Sequence, residues 1–94
     1  MEGRDVLEMG KRLVDKADLD SLQSAWSTLD FQQIAVDPSW LFQKLYLHAC
    51  LRGCQAIAVW LQMSVFPTLD PLHQLAIRQC FPYGRHLLRQ HARA

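Results

Sequence analysis

Ninety-four residues leave room for a single core, and a chain that is 50% apolar and 20% charged is too apolar to stay disordered. The formal net charge of +1 hides an uneven spread: residues 1–37 sum to about −4 and residues 38–94 to about +5. The longest apolar run, Ala56–Leu61, is too short to span a bilayer, and no apolar stretch follows Met1 as an export signal requires.

Val6, Leu7, Met9, Leu13 and Val14 fall near one helical face and predict a helix over Arg4–Ala17, with Gly10 as its weak point. Asp18 is placed to cap a second helix, Leu19–Leu29, whose apolar side carries Leu19, Leu22, Trp26 and Leu29. Asp30–Val36 lacks a period and reads as a loop or short turn. Asp37-Pro38 is the strongest start signal: the Asp side chain accepts an orphan amide, and Pro at the first helical position loses no bond. The helix Pro38–Arg52 follows. Trp40, Leu41, Leu45, Leu47, His48 and Leu51 surround much of it, which marks it as the most buried helix.

Gly53 supplies a turn, and Cys54–Ser64 returns as a helix with Ile57, Trp60 and Leu61 on one side. Phe66–Leu69 is a connector. Asp70-Pro71 repeats the start signal 33 residues after Asp37-Pro38 and opens a helix Pro71–Gln79. Pro82 restarts the chain into a last helix reaching about Gln90. No apolar–polar alternation persists, so the expected class is all-α. Six helices pair as about three helix–turn–helix hairpins in one domain over residues 1–94.

Three units, Leu13–Trp26, His48–Leu61 and Leu72–Leu88, share this pattern. Asp70-Pro71-Leu72-His73 resembles the Thr-Pro-Leu-His opening of an ankyrin inner helix, with Asp in place of Thr, and Ala76 falls on the second of its paired alanines. Ala49 to Gly53, then Ile57, Trp60 and Leu61, look like the alanine, turn and outer-helix positions. Lys16 to Leu22 resembles the turn of a divergent repeat, with Ala17 at the Gly position. The chain thus resembles a short, divergent ankyrin-repeat protein. That resemblance implies an α-solenoid that binds other proteins through the concave face of its inner helices and connecting loops.

Zinc chemistry would use His48, Cys50 and Cys54, joined by Cys80 or His73 where hairpins stack. Free cysteines are more often packing residues, so no metal or other cofactor is expected. A nucleophilic thiol needs an open, electropositive setting that nothing in the pattern supplies, and the chain reads as no enzyme. Arg85, Arg89 and Arg93 form one stripe of the last helix. The helix dipole accounts for cations there, and nucleic acid is not the expected partner. Three cysteines without an export signal read as reduced thiols, placing the chain in cytoplasm or nucleus.

The aromatics carry more. Phe42 and Tyr46 form an i, i+4 pair on a side of their helix distinct from Leu41 and Leu45, and apolar character on two sides asks for a cover. The expected function is a non-enzymatic protein–protein interaction module, an adaptor or inhibitor bound to a larger partner. Its anchors would be Trp40, Phe42 and Tyr46, with Arg85 and Arg89 as a charged rim suited to an acidic partner or to a second copy in a homodimer. The alternative is a small nucleic-acid-binding or zinc-stabilised regulator.

Overall fold

In the computed structural model, which describes residues 3–93, Asp side chains cap the starts of the second, third and fourth helices. Asp18 accepts a hydrogen bond from the Ser21 amide at 3.1 Å and opens α2 (Leu19–Ser27), after α1 (Gly3–Asp15). Asp30 accepts from the amides of Gln32 and Gln33, at 3.1 and 3.2 Å, so the unpatterned stretch holds a one-turn helix, α3 (Phe31–Ile34). Asp37 accepts from the Ser39 amide at 3.0 Å and its hydroxyl at 2.9 Å, opening α4 (Pro38–Leu51) as the Asp-Pro signal predicts. Asp70 has the same neighbour but makes no such side-chain bond to α6 (Pro71–Ile77). There Gln74 instead fastens the connector, its Nε2 donating to the carbonyls of Phe66 and Leu69 at 3.1 and 3.0 Å.

Left-handed residues turn the chain at Ala17 (φ 53°), Ala35 (φ 54°) and Gly53 (φ 73°). At Ala17 and Ala35 an alanine takes the left-handed conformation that glycine adopts at least cost. After Gly53 comes α5 (Gln55–Trp60), which widens into a π-helical turn over Leu61–Val65 and tightens into a 3-10 turn over Phe66–Thr68. Pro67 lacks the amide that a continuing α-helix would send to Met63, so the α pattern gives way before it. The last helix, α7, spans Cys80–Arg93 and begins two residues before Pro82. Pro82 is tolerated inside its first turn, where amides have no intrahelical acceptor to lose. Arg78, at the end of α6, keeps right-handed angles (φ −49°, ψ −34°), so α6 leads into α7 without the left-handed residue that turns the other hairpins.

The described residues contain helices and no strand. Helices α1, α5, α6 and α7 all pack on α4. Contacts advance in step along α1 and α4: Gly3 lies beside Trp40, Gly10 against Leu45, and Asp15 beside His48 and Arg52. They also advance along α7 and α4, from Phe81 against Phe42, through Gly84 against Tyr46, to His91 beside Gly53. Thus α1, α4 and α7 run side by side in one direction, with α4 in the middle. The segment from α5 onward returns behind α4, bringing Gln62 to Tyr46 and Phe66 to Phe42. Trp26 of α2 meets Trp60 edge-on at 6.4 Å in that second layer.

Two glycines set how closely α4 is gripped. A Cβ at Gly10 would stand 2.7 Å from Leu45 Cδ2, and one at Gly84 would strike the Tyr46 ring and lie 2.9 Å from Cys50 Sγ. Gly10, which propensity marks as a weak point, is the place where α1 closes on α4. The core behind α4 holds a cluster of Phe42, Tyr46, Phe66 and Phe81, with Phe81 5.1 Å from both Tyr46 and Phe66. Phe42 and Tyr46 are 0% and 1% exposed. Their expected role as partner anchors is corrected accordingly: the cover on that side of α4 is the chain itself, through α7 and the Phe66 segment.

Candidate functional site

Helix α4 is apolar on nearly every side, and one stripe of it stays uncovered. Trp40, Lys44, Leu47 and Leu51 recur at steps of four, three and four, which places them along one face. Trp40 is 37% exposed and Leu51 60%; Lys44 is exposed and Leu47 half-buried. Lys44, Leu47 and Leu51 form the floor between the parallel helices α1 and α7, and Trp40 continues the stripe beyond it. Lys11 of α1 walls one side, and Tyr83 and Leu87 of α7 wall the other, with His48 at the edge. The resulting groove encloses about 260 Å³. Tyr83 is 56% exposed, a large aromatic open to solvent beside an apolar floor.

Its electrostatics favour anions. Lys11 and Lys44 make no ion pair among the described residues. Arg4 stands two turns before Lys11 on the same flank of α1 and is exposed. Asp15, one turn after Lys11 on α1, is already engaged: its Oδ1 lies 2.8 Å from His48 Nε2 and 3.2 Å from Arg52 Nε. Glu8 precedes Lys11 by three residues but is turned further toward solvent. A partly exposed ion pair of this kind adds at most about 1 kcal/mol. Its larger consequence is positional, holding the C-terminal ends of α1 and α4 in register beneath the groove.

Of the expected anchors, only Trp40 lies on the open stripe. Phe42 and Tyr46 point the opposite way into the core. Arg85 and Arg89 are exposed on α7, but both project from flanks turned away from Tyr83, so they do not rim this groove. Leu47, Leu51, Tyr83, Leu87, Lys11 and Lys44 were not among the expected site residues. The recurrence from Trp40 through Lys44 and Leu47 to Leu51 puts the α4 residues on one face but does not mark that face as open, and no local signal points to Lys11, Tyr83 or Leu87.

The zinc set does not assemble. Cys50 is fully buried beside Tyr46, Cys54 Sγ donates to the Val14 carbonyl at 3.2 Å, and His48 is bound to Asp15. Cys80 is buried against the aromatic cluster. Among the described residues no group of three His, Cys, Asp or Glu side chains could hold a metal ion. Burial raises the Cys50 thiol and pushes Cys80 up to about 11, the opposite of what a nucleophile needs. His73 Nδ1 stands 3.4 Å from Asp37, linking the starts of α6 and α4.

Two other apolar features lie elsewhere. A cleft of about 180 Å³ opens between α1, α2 and α4, lined almost wholly by apolar residues, Val6, Met9, Leu13, Leu22 and Trp26 among them, with Thr28 the polar exception. Leu72 and Leu75 stand three apart on α6, and Val59 and Met63 four apart on the α5 segment, all four exposed. Neither pair lines the groove or the cleft. Among the described residues no helix is long and apolar enough to cross a membrane. No protein-family model, curated protein or solved structure matches this chain.

Proposed function

We propose that this chain is a non-enzymatic protein–protein interaction module, an adaptor or inhibitor that docks on a larger partner in the cytoplasm or nucleus. The observation that carries this reading is the uncovered stripe of α4, where Leu47 and Leu51 lie open between α1 and α7 and the exposed Trp40 continues the same face. Large apolar side chains held open in a concavity are characteristic of surfaces that another molecule completes. The groove has the form that receives a helix rather than a small polar substrate. The ankyrin-like reading belongs to the same proposal. It is supported by the left-handed turn residues Ala17 and Gly53, although α7 rather than α6 takes the place beside α4 that an inner helix would hold.

Comparison of two variants in affinity capture tests the assignment. Leu51→Glu alters only the open stripe, so it is expected to keep the helical circular dichroism of the parent and lose the captured partner. Phe42→Ala empties a core site and is expected to destabilise by about 3–5 kcal/mol. Partner capture that survives Leu51→Glu in a folded chain overturns the groove as the docking site.

A further inference from the structure

Resting on that reading, we infer that the occupant of the groove is an acidic amphipathic helix of a partner protein. Three observations converge on it. The floor runs from Lys44 to Leu51, about 10 Å at 1.5 Å per residue, and the exposed Trp40 extends the same helix face to about 17 Å, which matches three turns of a second helix laid along it. The walls are themselves helices running in one direction, so a further helix completes the packing without needing an exposed sheet edge. The charges beside the apolar floor are cationic and available: Lys11 and Lys44 have no described partner, Arg4 shares their flank, and Asp15 is occupied by His48 and Arg52.

An apolar floor with cations along its edge selects a helix whose apolar residues recur at i, i+4, i+7 and i+11, flanked by Asp or Glu. Apolar contacts supply the affinity. The lysines set orientation, speed the encounter and reject basic helices. The groove does not discriminate against a second copy by shape. It rejects the α7 of a second copy by charge, since that helix carries Arg85, Arg89 and Arg93 on its outer side.

Fluorescence anisotropy with two labelled helical peptides of about fourteen residues tests the inference on the intact chain. One carries Leu at the four positions with flanking Glu; the other has the same leucines with flanking Lys. The Glu peptide is expected to bind at least tenfold more tightly than the Lys peptide, with affinity falling as salt rises. The double variant Lys11→Glu, Lys44→Glu is expected to invert that preference. Arg85→Glu with Arg89→Glu, away from the groove, is expected to leave the inversion absent.

Equal binding of both peptides, or binding of neither, overturns the acidic-helix inference. If Leu51→Glu still abolishes capture of the natural partner in that case, the groove reading stands and only the occupant is wrong. If Leu51→Glu has no effect on either binding or capture, both fail together. A concentration-dependent dimer seen in sedimentation and dissolved by Leu51→Glu assigns the groove to a second copy and likewise overturns the acidic partner.

Discussion

Cys80 shows how a residue that looks reactive becomes structural. Its thiol is held up to about 11, from an ordinary 9.0, chiefly by burial and then by the neighbouring Cys50. Below the ordinary value both folded and unfolded chains keep the proton, and the benefit of burying a neutral thiol is complete. Between 9.0 and about 11 the unfolded chain releases a proton that the folded chain retains, so stability falls as pH rises. Cys50 and Tyr46 are raised by burial too and act in the same direction. Thermal midpoints should therefore drop between about pH 8 and about pH 10.5, and the drop should be shallower in Cys80→Ala. An identical slope in the variant would show that Cys80 is not a source of the dependence. The residue types were visible in the sequence, but their depth was not. Cysteine carries no local mark of whether a distant helix will cover it, and Phe42 and Tyr46 share that ambiguity, because their cover comes from Phe66 and Phe81.

At the scale of the element, the two glycines that grip α4 should respond differently to alanine. Gly84→Ala drives a methyl into the Tyr46 ring and toward Cys50 Sγ, both fully buried, and should destabilise by about 1–3 kcal/mol. Gly10→Ala meets the end of the flexible Leu45 side chain, and helix propensity returns up to about 1 kcal/mol, so its effect should be much smaller. Urea denaturation of both variants checks the order, and an equal loss would contradict the packing described. Helix starts at Asp18 and Asp37 and the left-handed turn at Ala17 were legible because each depends on three or four adjacent residues. The start of α7 before Pro82 was misplaced because Pro is equally at home in the first position and inside the first turn. The groove was harder still. Apolar residues surround α4, so no face of it announces itself as open, and only the long-range placement of α1 and α7 leaves the Trp40–Leu51 stripe uncovered.

For the whole molecule, α4 is the shared partner of α1, α5, α6 and α7, so its loss or exposure removes the packing partner of all four. A chain ending after Ile77 lacks the helix that covers Phe42, Tyr46 and Cys50, and it should lose cooperative unfolding as well as most of its helical signal. A truncated chain that still melted in one sharp transition would mean that α7 is an accessory rather than a wall of the core. The same arrangement makes the docking claim sharp: the floor and both walls of the groove come from the three parallel helices, whereas Arg89 and Leu72 lie outside it. The most direct test is a photo-crosslinking amino acid placed in turn at positions 51, 83, 89 and 72 of the full chain in its cell. Discrete adducts from positions 51 and 83, with none from 89 and 72, are expected; adducts from 72 or 89 with none from 51 would contradict the groove as the docking surface.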